Sequence, residues 1–99
     1  MLNNKMEKNG SGLTVFLEGR LDTVTAPQFE TELKKALEGI SELTIDCAKL
    51  EYVSSAGLRV LLSVHKIMTK QGSMVVKNLS EEVKEVFDIT GFSDILTIK

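Results

Sequence analysis

The chain has few of the side chains on which catalysis and metal binding rest. Of its 99 residues, one is cysteine and one is histidine. A single thiol, Cys47, cannot close an intrachain disulfide and cannot anchor a cysteine-based metal site. It fits a reducing compartment and reads as a small core residue. His65 falls mid-helix beside an apolar stripe, which suits a surface or partly packed position better than a catalytic one. No Cys/His cluster has zinc-ligand spacing. There is no Walker-type phosphate loop and no GxGxxG dinucleotide fingerprint. The pair Ser54 and Ser55 is not a GxSxG elbow, and the lone histidine has no evident reason to reach it as a base. These gaps point away from an enzyme and away from a bound cofactor or metal.

Long apolar runs are missing too. No segment approaches the roughly 20 apolar residues that span a bilayer. The N-terminal "MLNNKMEKNGSG" is polar and lacks a signal-peptide core. The expected location is therefore the cytoplasm, with no membrane contact. No block of like charges occurs, and the net charge is -2, which argues against nucleic acid as a partner. What remains is an ordinary soluble composition, 42% apolar and 26% charged, enough for one small domain over residues 1–99 with one core.

"LTVFL" (Leu13 to Leu17) is a β-type run, preceded by a hairpin turn at "NGSG" and, before it, a weak edge-strand candidate, "LNNKME". "EGRLDTVT" carries polar and turn residues. Thr25 and Gln28, with Pro27 between them, read as a capping box opening a helix. Phe29, Leu33, Ala36, Leu37 and Ile40 then recur at helical spacing up to Gly39 and its surroundings. "LTIDC" (Leu43 to Cys47) reads as a buried strand, with "AKLEYV" as a connection. After Ser55, residues Val60, Leu61, Val64, Ile67 and Met68 form a second helical stripe, closed by Gly72. "SMVVKN" is a further strand. Ser80 caps a third helix whose first turn holds Glu81 and Glu82 and which ends at Gly91. "DILTIK" is a short final strand or tail. Strands alternating with helices imply an α/β fold: a mixed sheet with right-handed crossovers and helices packed mainly on one face.

Ser54 and Ser55 precede the second helix. One reading is a cap, in which a serine oxygen accepts an orphan backbone N–H for about 1 kcal/mol. The other uses the same place for a switch. A helix N-terminus holds free N–H groups and partial positive charge, so it tolerates an anion. Phosphorylation would add roughly -1.5 to -2 charges there. Gly57 removes a side chain from the first turn, which would let another protein's active site come close.

The constellation "GRLDTVTAPQFETELKKAL … LTIDCAKLEYVSSAGLRVLL … GSMVVKNLSEEVKEVFDITGF" resembles a STAS domain of the bacterial anti-sigma factor antagonist family. The specific elements are Gly19 to Asp22 and the set Asp46, Ser55, Ala56, Gly57 and Leu58. The resemblance runs from about Leu13 to the end and implies a STAS-type fold. It makes Ser55, two residues before Gly57, the phosphorylation site. Where the family often has aspartate, this chain has Ser54. Asp22 and Asp46 match acidic positions at the mouth around the phosphosite, although either also reads as a turn or cap aspartate. Leu58 matches a first-turn leucine for which core packing and partner contact are both open.

The function implied is partner switching. Unphosphorylated, the protein would bind an anti-sigma factor that is also a GHKL-type serine kinase, and so free a sigma factor. Phosphorylation of Ser55 would release the complex, and a PPM-type phosphatase would reset it. Free, the protein is expected to be a monomer. Two other functions stay open: an unphosphorylated STAS accessory subunit of a transporter, and a sensor binding a nucleotide or small ligand at the same helix terminus.

Overall fold

The computed structural model describes residues 1–99. Strands β1 (Leu2–Asn9) and β2 (Gly12–Leu21) form a hairpin. Gly10 has φ +63° at the first position of the two-residue turn, where a glycine meets no steric cost. Helix α1 (Ala26–Ala36), β3 (Glu42–Val53), α2 (Ser55–Gln71), β4 (Ser73–Lys77), α3 (Glu81–Ile89), a short α4 (Phe92–Ile95) and β5 (Thr97–Ile98) follow. The five strands lie side by side in chain order, with β1 antiparallel to β2 and the rest parallel.

Sequential right-handed crossovers between neighbouring parallel strands put every helix on the same face of the sheet. The strands carry the matching alternation. Leu13, Val15, Leu17 and Leu21 of β2 are buried, whereas Phe16, Glu18 and Arg20 are more open. In β3 and β4 the same covered face holds Leu43, Ile45, Cys47, Met74 and Val76. These meet Phe29 and Leu33 of α1, Val60, Leu61, Val64 and Met68 of α2, and Val83 and Phe87 of α3 in one continuous core. Full burial of each large apolar side chain is worth about 1.5–3 kcal/mol. The opposite face of the sheet is open.

Two strands run further than their composition suggests. "EGRL" belongs to β2 and "AKLEYV" to β3, where turn and connection were expected. The extra length is held by Glu18↔Lys49, Gly19↔Leu50, Arg20↔Tyr52 and Leu21↔Val53 pairing, across two register shifts. Polar side chains there face solvent while Leu21, Leu50 and Val53 stay inside. The C-terminal segment also differs: residues Phe92–Ile95 are helical, so the last strand shrinks to Thr97–Ile98. The expected capping box at α1 is absent. Thr25 Oγ1 instead donates to Arg20 O (2.9 Å), and Gln28 Nε2 donates to Glu32 Oε1. Ser80 does cap α3, accepting from Val83 N–H at 3.2 Å.

Candidate functional site at the start of the second helix

β2 and β3 end together at the Leu21↔Val53 pair, and both chains turn there. Ser54 N–H donates to Leu21 O at 2.9 Å, tying the second turn to the first. Ser54 itself is extended (φ -93°, ψ 174°) and is the N-cap of α2. Its carbonyl accepts from Leu58 N–H at 2.9 Å and its Oγ from Gly57 N–H at 3.2 Å. The capping task is therefore filled by Ser54.

Ser55 is the first helical residue and is exposed. Its hydroxyl makes no hydrogen bond within the protein, unlike that of Ser54. At the first two helical positions the backbone N–H groups have no intrahelical acceptor, so those of Ser55 and Ala56 stay unpaired beside it. The macrodipole adds partial positive charge at the same point. Arg59 is exposed and stands four residues on, hence on the same side of the helix.

Asp22 sits in the neighbouring turn, where it organises the backbone. Its Oδ1 accepts from Val24 N–H and Thr25 N–H, both at 3.0 Å, while Asp22 N–H donates to Thr25 Oγ1. The Thr25 backbone bond, helped by those from the Thr25 hydroxyl and Val24 N–H, holds the Asp22 carboxyl below the ordinary carboxylate range. Arg20 Nε lies 3.8 Å from Asp22 Oδ2, and the Arg20 guanidinium stacks 4.3 Å over the Tyr52 ring. Val24, 86% exposed, projects from this turn with nothing packed over it. Val24, Arg59 and the Arg20–Tyr52 stack were not singled out by the sequence. An exposed valine in a turn and an arginine four residues after a serine were the available signals.

Two expectations, for Gly57 and Asp46, are corrected by these positions, and of the two readings open for Leu58 the packing takes the core one. Gly57 does not open the helix to an approaching protein, because it faces inward. A Cβ there would lie 2.7 Å from Leu21 Cγ, 2.9 Å from Leu21 O and 3.0 Å from Val53 Cγ2. Leu58 is 2% exposed and belongs to the core, so it offers no contact surface. Asp46 is not at the mouth. It pairs across the sheet with Phe16 and Lys77, and the seven residue steps of strand from Asp46 to Val53 span about 23 Å. Its carboxylate accepts from Ala48 N–H at 3.0 Å and from Asn78 Nδ2 at 3.2 Å on both oxygens. Asn78 (φ +62°) takes the left-handed turn that asparagine tolerates. Asp46 thus latches β3 to the turn after β4.

His65 is partly buried on α2, and its Nδ1 has no hydrogen-bond partner. Ten residues of helix separate it from Ser55, which is about 15 Å. A concavity of 470 Å³ lies on the open sheet face between Lys5, Phe16, Glu18, Asp46 and Lys49, away from the start of α2. No helix is long and apolar enough to cross a membrane.

A one-sided, mostly parallel sheet with a capped helix rising from a joint strand end makes a small α/β domain. The profile of the STAS domain matches residues 3–99, and the chain belongs to the STAS family of anti-sigma factor antagonists. It is 34% identical over 98 residues to the anti-sigma-B factor antagonist of Bacillus subtilis, covering 98% of this chain and 90% of that one. It is 38% identical over 95 residues to BtrV of Bordetella bronchiseptica, covering 94% and 82%. In architecture it superposes on an anti-sigma factor antagonist from Mycobacterium paratuberculosis with a TM-score of 0.89 at 21% identity, over 99% of this chain and 85% of that one. The phosphorylated form of SpoIIAA, a Bacillus cell fate determinant, matches with a TM-score of 0.76 at 17% identity, over 98% and 91%.

Proposed function

We propose that the chain is an anti-sigma factor antagonist controlled by phosphorylation of Ser55. The observation that carries this is the free, exposed Ser55 hydroxyl at the first position of α2, beside a cap that Ser54 already supplies. Relatives named as anti-sigma-B factor antagonists support the output, and a SpoIIAA known in a phosphorylated form supports the chemistry. In the unphosphorylated state the domain binds an anti-sigma factor with GHKL-type serine kinase activity and so frees a sigma factor. The kinase transfers the γ-phosphoryl group of ATP to Ser55 Oγ, leaving ADP and a proton. A PPM-type phosphatase returns the hydroxyl by hydrolysis. The protein is the substrate of both steps, and it works in the cytoplasm.

A phosphate on Ser55 meets the unpaired N–H groups of Ser55 and Ala56, the helix dipole and Arg59, so the domain holds it without unfolding. The docking surface, now read as the Val24 turn, Ser55 and Arg59, gains a hydrated dianion. Desolvating that dianion against a partner opposes binding, and each 1.4 kcal/mol, on the order of one ion's partial desolvation, is a tenfold loss in affinity. The transporter-subunit and ligand-sensor readings have no comparable observation in their favour. Incubation with the cognate kinase and ATP, followed by mass-spectrometric mapping, tests the proposal. Phosphate on Ser55 and an unlabelled but still binding Ser55→Ala variant are expected. Phosphate mainly on Ser54 would overturn the site.

A further inference from the structure

We propose that β1 pairs with β1 of a second copy of the chain, antiparallel, about a twofold axis through Met6. This stands apart from the phosphorylation reading and replaces the expectation of a monomer.

β1 is an edge strand of eight residues in unbroken register from Leu2↔Gly19 to Asn9↔Gly12, without proline or bulge. The opposite edge, β5, has only two residues. A long, flat edge is a template for further pairing unless it is blunted. Its free hydrogen-bonding groups can be identified. Asn9 and Gly12 flank a two-residue turn, so they form a hydrogen-bonded pair, and such pairs recur at every second residue. At the far end Arg20 N–H donates to Met1 O at 3.0 Å, which is the same phase. Odd-numbered residues therefore spend their backbone groups on β2. Leu2, Asn4, Met6 and Lys8 aim theirs outward.

Self-pairing must match even residues with even residues, and charge then selects the register. An axis through Lys5 or through Glu7 sets that charge against its own copy. An axis through Asn4 leaves Lys5 facing Asn3 and shortens the overlap. An axis through Met6 puts Lys5 opposite Glu7 twice, on the open face where the two side chains already lie together at 3.8 Å within one strand. On the helix face it puts Lys8 of one copy opposite Asn4 of the other. Asn4 Nδ2 donates to Glu32 Oε2 at 3.2 Å, so Lys8 arrives beside a carboxylate. Met6, partly buried and apolar, meets its own copy on the axis. Met6, Asn4 and Lys8 each exchange both backbone bonds with their partner in this register.

The test is sedimentation velocity of the full chain over a concentration series, together with cysteine cross-linking. Wild type is expected to approach twice the protomer mass. Lys5→Glu should abolish association, and the double variant Lys5→Glu/Glu7→Lys should restore it. Met6→Pro should give a folded monomer, because the lost N–H points away from β2. Met6→Cys should oxidise to a covalent dimer, since a hydrogen-bonded pair sets the Cα atoms about 5.5 Å apart, within disulfide range. Cys47 is buried and does not compete. A monomer at the highest soluble concentration, a dimer indifferent to Lys5→Glu, or failure of Met6→Cys to cross-link in a dimeric protein would each overturn the proposal.

Discussion

Ser55→Asp separates a switch from a structural serine. The wild-type hydroxyl makes no internal hydrogen bond and is exposed, so its removal costs nothing in the folded state. The new carboxylate sits at the first position of α2, beside two unpaired N–H groups, where the dipole favours it by about 0.3–1 kcal/mol. Stability should therefore move by about 1 kcal/mol or less, a Tm change within about 4–8 °C for a domain of this size. Ser54→Ala is the contrast. It leaves Gly57 N–H without its 3.2 Å acceptor and should cost about 1 kcal/mol, within a range of 0.5–2. In binding the order reverses. Ser55→Asp should weaken the anti-sigma kinase complex by at least about tenfold, or 1.4 kcal/mol, and by less than true phosphate, which carries more charge. A melt of each free variant and a titration against the kinase decide it. Unchanged binding of Ser55→Asp would put the helix start outside the interface and end the switch reading. A steep loss of Tm in the same variant would show that the site cannot hold an anion.

Gly57→Ala should destabilise by about 1–3 kcal/mol in a denaturant titration, because its Cβ would press on Leu21 O and Val53 with no flexible end to yield. Asp46→Ala should cost about 1–3 kcal/mol by stranding Ala48 N–H and the Asn78 amide, without touching kinase affinity. Asp22 has a lowered folded pKa, so its stabilisation is fully present above the ordinary carboxylate value of about 3.9 and is lost as pH falls through the lower folded value. Asp22→Asn should flatten the acid limb of a stability–pH curve below that point and leave the neutral region nearly parallel to wild type. Burial pushes the Cys47 thiol up to about 12, so a thiol reagent at pH 8 should label it only after unfolding, and fast labelling of the native protein would contradict the packing.

Most of the frame could be read from periodicity, because each helix carries a stripe and each parallel strand a compact apolar run. What escaped was set by contacts between distant segments. Nothing in "EGRL" or "AKLEYV" taken alone says strand; their mutual pairing across two register shifts does. Gly57 looked like an opening because a glycine's reason is invisible without its neighbour, here Leu21 on another strand. The resemblance put Asp46 at the mouth near Ser55, but the residues between them belong to one extended strand. Ser80 was legible as a cap because that bond is local and three residues long. Ser54 was legible only as one of two equivalents.

The adjacency of those two serines has a physical consequence. With a single serine at the helix start, the modified oxygen would also be the cap, and its phosphorylation would disturb the bond that fixes the first turn. Here Ser54 keeps Gly57 N–H and the Leu21 tie whatever happens next door. Ser55 is left with a hydroxyl that holds nothing, on a helix end that favours negative charge. Under the proposed phosphorylation of Ser55, the fold would serve as a stable platform, and the free energy of modification would be directed to the surface a partner must desolvate. Neutral Ser54 serves this better than a carboxylate in one respect. It caps the helix without placing a negative charge directly beside the phosphate proposed on Ser55, so the cap adds no like-charge repulsion to the modification.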